Sequence, residues 1–398
     1  MRLSKFLTAS LATSVSAYSW AIEPMSMDIR GFQFTPTLFV SESYDDNYRG
    51  VRDNAADSWI TTIEPTFALS AENRNSQHEL KYSFDSDIFH DDSDASNTDH
   101  HLTFKSALAL TSRHRVRGNI GYHRIEDTIN DDTRSRTDEL AGDLAGRDFY
   151  NDQYSRAVAG LGYTFGAVSA QNQLDFATNY EQRRYHNSGD INEDQERDSL
   201  GVSSTWFHRI GGRTRSIVEV RHTQHEYVED RYNRDGTNTA GLIGATWEAT
   251  AKTTGTVRVG AERKKFDSDA REDFTSPMWE VGVAWAPRTY STFEINARRA
   301  FDEGEDDSST VEDVTTALSW THGWTPRIST ELEYQISDRE YKASDREDDR
   351  TAYSVGVSYA FDRWADITLG YLRSENDSSR YFNSYERNVY LLSLNMSL

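Results

Sequence analysis

The chain reads as all-β: a transmembrane, antiparallel up-and-down β-barrel of about 18 strands, each near the roughly 9–11 residues that a tilted strand needs to cross a bilayer. Three observations predict it. From Gly31 to Leu398 the chain is a series of short stretches that alternate apolar and polar residues, the pattern of a strand with one apolar face. The connections between them alternate between short and long, as at the two ends of an outer-membrane barrel. Trp206, Trp247, Trp285, Trp320, Trp324 and Trp364 all stand near the short connections, where an interfacial aromatic girdle belongs.

Arg2 and Lys5, an apolar core from Phe6 to Val15, and the small-x-small site Ser19-Trp20-Ala21 read as an export signal over residues 1–21. A membrane anchor would need a longer apolar stretch. Residues 22–30 are then a short periplasmic segment and 31–398 the barrel. Phe32, Phe34, Leu38 and Val40 mark the first strand, and a polar loop over 44–57 follows. The return strand places Trp59, Thr61, Ile63, Phe67 and Leu69 on one face. After a short connection at 73–76 come Leu80, Tyr82, Phe84 and Ile88, an acidic loop over 90–99, and Leu102, Phe104, Leu108 and Leu110. Ser112-Arg113-His114 turns tightly into Val116, Ile120 and Tyr122. Further short connections fall at 166–170, Gly211-Gly212, 250–254, Pro287-Arg288, Pro326-Arg327 and Asp362-Arg363. Over the later hairpins they recur roughly every 36–40 residues, and the segments 285–294 and 324–333 are near copies. A propeller blade would need four strands per repeat, and each repeat here holds two. The last stretch sets Asn388, Tyr390, Leu392, Leu394, Met396 and Leu398 on one face and Val389, Leu391, Ser393, Asn395 and Ser397 on the other.

Composition alone points elsewhere. A mean hydropathy of −0.77 and a net charge of −22 suit a soluble or disordered acidic chain, yet 21 Tyr, 18 Phe and 9 Trp are too many for a solvated tail. A barrel reconciles the two, because only alternate strand residues meet lipid while lumen and loops stay polar. No apolar run of 18 or more residues follows the signal, so spanning helices are not expected. With no Cys, the barrel uses no disulfides, although an oxidising compartment would permit them. The acidic balance disfavours nucleic acid. G-x-S-x-G, H-E-x-x-H and Walker-type motifs are absent, and His222 and His225 near Glu226 lack a placed nucleophile, so neither enzyme activity nor a cofactor is expected.

Acidic residues gather in the long loops, among them Asp45, Asp46, Asp131, Asp132, Asp190 and Glu305 to Asp307, as suits a hydrated surface beside lipopolysaccharide and outer-membrane lipid. Asp91, Asp92 and Asp94, and Asp267 with Asp269, offer oxygen ligands for Ca²⁺, but neither run has the spacing of an EF-hand loop, and no metal site is expected. Strand phase nominates a lumen-lining set: Glu79, Lys81, Arg115, Arg117, Asp175, Glu181, Glu219, Arg221, Arg258, Glu262, Glu294, Arg298, Glu331 and Glu333. Rings of lumen charge can set selectivity, or rows of opposite sign can pair across strands and stiffen the wall.

The phrase Phe34-Thr-Pro-Thr-Leu-Phe-Val-Ser-Glu-Ser-Tyr44-Asp-Asp-Asn47, followed by Ser58-Trp-Ile-Thr-Thr-Ile-Glu-Pro65-Thr-Phe-Ala-Leu-Ser70, resembles the putative beta-barrel porin 2 family, which includes the EpsL-like outer-membrane barrels of exopolysaccharide and capsule gene clusters. The resemblance implies a Gram-negative outer-membrane channel that moves a secreted polysaccharide to the cell surface beside a periplasmic polysaccharide-export protein. Such a barrel would be inserted by the outer-membrane barrel assembly machinery. A general or solute-specific diffusion porin is the first rival, with 126–152 as its candidate constriction loop. A structural or adhesive surface barrel is the second.

Overall fold

The computed structural model describes residues 25–127, 151–186, 193–250, 252–304 and 310–397. The expected export signal, most of the candidate constriction loop, Asp131, Asp132, Asp190, Glu305 to Asp307 and Leu398 lie outside the described residues. A short strand, β1 (Met27–Ile29), folds back on β2 (Phe32–Asp45) through Arg30 and Gly31, both at positive φ. There follow β3 (Ser58–Asn73), β4 (Ser76–Phe89), β5 (Asn97–Ala109), β6 (His114–Asp127), β7 (Asp152–Phe165), β8 (Asn172–Tyr185), β9 (Arg197–Arg209) and β10 (Thr214–Tyr227). The second half comprises β11 (Gly236–Thr250), β12 (Thr253–Phe266), β13 (Phe274–Arg288), β14 (Ser291–Glu303), β15 (Thr310–Gly323), β16 (Ile328–Lys342), β17 (Glu347–Asp362), β18 (Ala365–Ser378) and β19 (Tyr385–Ser397). Successive strands pair antiparallel, and β19 returns to β2 with Ser397 opposite Thr37 and Val389 opposite Asp45. The ring therefore closes at 18 strands, with β1 as an extra one at the short-turn end. Among the described residues, closure pairs each strand of the ring with both neighbours, as backbone in lipid requires, apart from the long-loop end of the β13–β14 seam.

Alternation gives the wall two unlike faces. Leu102, Ile120, Leu161, Ile243, Leu369 and Leu392 stand exposed on one of them, which is the outer, lipid-facing surface. The other face is polar and concave. Arg221 on β10 lies 2.6 Å from Glu280 on β13, whereas three strand spacings along a flat sheet would hold them about 14 Å apart. Long side chains pointing into the concave face of the ring bridge that gap.

Near the short turns the outer face carries aromatic rows. Trp285, Phe293 and Trp320 stack in succession across β13, β14 and β15, with ring centroids 5.4 and 5.9 Å apart. At the long-loop end the connections are packed: Tyr48, Ile60, Phe89 and Ala95 form a small core, and the buried Arg346 lies 4.2 Å over the Tyr341 ring while it pairs with Asp348. One seam departs from the rest. β13 and β14 are paired only up to Trp279 opposite Arg299. Beyond that point Glu262 accepts the Phe301 N–H at 2.9 Å, and the Ser276 hydroxyl donates to Glu312 at 3.0 Å.

Candidate functional site

The inner wall is where the polar side chains converge, and each cluster follows from strand register. Arg117 on β6 reaches across β7 to Asp175 on β8, with two bonds of 2.7 Å. The path is open because Gly162 stands opposite Arg117; a Cβ there would lie 2.5 Å from the Arg117 Cζ. Thr164 donates to the same carboxylate at 2.6 Å. Higher on this wall Arg156 holds Glu181 at 2.6 Å.

On the β10–β13 wall the charges form a closed ring. Arg221 binds Glu219 at 2.7 Å and Glu280 at 2.6 Å, while Arg258 binds the same two carboxylates at 3.0 and 3.1 Å. Each buried acid thus faces two guanidinium groups, an arrangement that offsets much of the cost of removing it from water. Toward the long loops Glu303 accepts from Lys264 at 2.5 Å and from the Tyr227 hydroxyl at 2.8 Å, with the His225 ring 3.3 Å away. Arg298 pairs with Asp302 at 2.5 Å and approaches Asp313, which Arg339 also reaches at 3.6 Å.

The residues nominated from sequence divide by surroundings. Arg117, Asp175, Glu181, Glu219, Arg221, Arg258 and Arg298 are brought into these ion pairs. Glu79 stands opposite Lys105, and Lys81 opposite Thr103. Glu262 is turned to the β13–β14 seam. Arg115 stands opposite Thr164 at the short-turn end. Glu294, Glu331 and Glu333 have no cation within 4.0 Å among the described residues. Glu280, the partner of both ring arginines, escaped the sequence reading although it shares the phase of Gly282 and Ala284 on β13. His222 and His225, close in sequence, part company: His222 bonds Thr239 at 2.8 Å, and His225 turns to Glu303.

Of the loop carboxylates, Asp92 accepts from the Tyr48 hydroxyl at 2.5 Å and from Arg49 at 2.6 Å, and caps the turn at Ser93–Ala95. Asp91 accepts the Trp59 N–H at 3.3 Å. Among the described residues, metal-ligating atoms converge instead at Asp85, Asp99 and His101, all within 4.8 Å, with His101 also 2.9 Å from His123. Asp91, Asp92, Asp94, Asp267 and Asp269 form no such group. The sequence carries no signal for the Asp85 cluster, because neighbouring strands bring it together.

The family model described as putative beta-barrel porin 2 matches residues 21–398. No curated protein matches the chain. Among solved structures, the apoprotein form of the FrpB iron transporter from Neisseria meningitidis (F5-1 variant) is 10% identical with a TM-score of 0.50; the match covers 89% of this chain and 62% of FrpB. The chain thus spans less than two thirds of that transporter's length. OccK2 (OpdF) from Pseudomonas aeruginosa, solved with glucuronate, is 10% identical with a TM-score of 0.49, covering 92% of this chain and 98% of that one. The siderophore receptor PirA from Acinetobacter baumannii is 7% identical with a TM-score of 0.47, over 92% of this chain and 80% of its own. At such identities the likeness is one of fold.

Proposed function

The chain belongs to the putative beta-barrel porin 2 family, and from that premise we propose that this outer-membrane barrel is a channel through which exopolysaccharide or capsular polysaccharide reaches the cell surface. The observation that carries the reading is the inner wall of an 18-strand ring. A barrel of this size leaves an aqueous passage, and its wall here is lined by carboxylates, guanidinium groups and hydroxyls, the partners that a hydroxyl-rich, often acidic chain can exchange one after another. The nominated charges are the lining in this reading, with lipid and lipopolysaccharide outside and the barrel assembly machinery as its route in. In this reading a periplasmic polysaccharide-export protein delivers the glycan, since among the described residues nothing in the wall resembles a site for ATP.

Deletion of the gene should abolish surface polysaccharide and leave small-solute uptake intact. A diffusion porin predicts the reverse, and an adhesive barrel predicts neither loss. Both quantities are measured in one deletion strain, and unchanged glycan with slowed uptake would remove the export reading.

A further inference from the structure

The short-turn end of the inner wall is electrically lopsided. On one side Arg115 and Arg117 on β6, Arg209 on β9 and Arg215 on β10 share the inner phase with Lys105 on β5. Asp175 neutralises Arg117, Glu79 stands opposite Lys105, and Glu248 follows Thr246, the residue opposite Arg215, in the inner phase of β11. Arg115, Arg209 and Arg215 have no carboxylate within 4.0 Å among the described residues. Arg209 and Arg215 stand directly opposite each other, and both are tied to the Val168 carbonyl in the β7–β8 turn, at 2.8 and 2.6 Å. Like charges opposite each other on paired strands are unfavourable, so an anion between them would stabilise the wall. The other side is the converse. Glu294 on β14 and Glu333 on β16 flank Ser319 of β15 in the same register, and Glu331 is the next inner residue on β16. Within the 18-strand ring β16 is nine strands from β7, so the two patches face each other across the lumen.

We propose that the short-turn end of the lumen is a one-sided binding track for carboxylate-bearing saccharide, with Arg115, Arg209 and Arg215 as its anion-holding groups and the Glu294–Glu331–Glu333 wall opposite excluding it. Strand spacing and tilt put opposite backbones about 35 Å apart, and salt screens exposed charges over roughly 8–10 Å, so each wall acts locally on what lies against it. Guanidinium forks match carboxylates in a bidentate geometry that a lysine lacks. A uronate-containing chain entering from the short-turn end would lie along β5–β10 and be turned away from β14–β16. This assignment rests on the reading of the channel as a glycan conduit and names the glycan's class.

The test is current block in planar bilayers holding the purified full barrel, with hexagalacturonate added on the short-turn side and maltohexaose as the neutral probe. Hexagalacturonate should block the wild-type pore, and Arg115→Gln with Arg215→Gln should weaken that block about tenfold or more. Glu331→Gln with Glu333→Gln should not weaken it, and maltohexaose block should be the same in all three. The reversal potential in a salt gradient gives a second reading: loss of the basic wall should shift it toward cation selectivity, and loss of the acidic wall toward anion selectivity. Block of equal strength by hexagalacturonate in all three pores, or shifts of the same sign in both variants, would overturn the track. A track that passes while the deletion strain keeps its surface glycan would instead overturn export and leave the binding site standing.

Discussion

A single glycine shows how residue choice builds this lumen. Without a side chain at Gly162 the Arg117 guanidinium can cross a strand and reach Asp175; any larger residue there would push against its Cζ. Strand phase could nominate Arg117 and Asp175 separately, because period-two alternation assigns each to a face. It could not pair them, since contacts across two or three strands depend on the curvature of the closed ring. The same limit hid the meeting of Glu280 with Arg221 and Arg258. In the long loops the sequence suggested oxygen ligands at Asp91, Asp92 and Asp94, while in the fold Asp92 is spent on Tyr48 and Arg49. The Tyr48 hydroxyl above all, and then Arg49, hold the Asp92 carboxyl below its usual range. A depressed folded value means that the clasp contributes at pH above the unfolded value of about 3.9 and is lost as pH falls through the folded one. Amide exchange over 46–57, corrected for intrinsic rates, should therefore accelerate as pH falls below about 4, and Tyr48→Phe should accelerate it at higher pH. A variant that tracks the wild type across that range would show that the clasp does not order the loop.

At the scale of the element, hairpin count and turn positions were legible because short turns and period-two stretches are local properties. β1 and the short β13–β14 seam were not. Met27–Ile29 is too brief to show a period, and the seam ends where Glu262 and Ser276 substitute for ladder bonds, a substitution no single strand encodes. The closing strand β19 allows a direct test of phase. Leu394 lies between Ile367 and Val40 on the outer face, and Ser393 points inward beside it. A charge on the lipid face costs up to about 2–4 kcal/mol at the midplane and less toward either end, so Leu394→Arg, toward the short-turn end, should lower the folded, heat-modifiable fraction in outer-membrane preparations. Ser393→Arg should not, because its guanidinium enters a hydrated lumen. Equal losses from both substitutions would mean that the two faces of β19 have been exchanged.

Over the whole molecule exposed cations outnumber exposed carboxylates (Glu72, Glu248 and Asp362) at the short turns. Arg74, Arg113, Arg213, Lys252, Arg288, Arg327 and Arg363 are exposed at or beside the short turns, while Asp53, Asp91, Asp94, Asp267 and Asp269 are exposed in the long loops. Short turns of outer-membrane barrels face the periplasm, so the basic rim is expected on that side and the acidic loops on the other. The orientation is open to a labelling experiment, and the fold decides which insertion points are fair. Ala95 is buried against Tyr48, Ile60 and Phe89, so a tag there would break the loop core before it reported on topology. Ala55 and Asp269 are exposed in long loops, and Gly212 and Asp362 are exposed at short turns. Epitope tags at Ala55 and Asp269 should be reached by antibody on intact cells, whereas tags at Gly212 and Asp362 should need permeabilised membranes. Labelling in the opposite sense would turn the barrel over: the basic rim would face the medium, and the track proposed at the short-turn end would become an exit in place of an entrance.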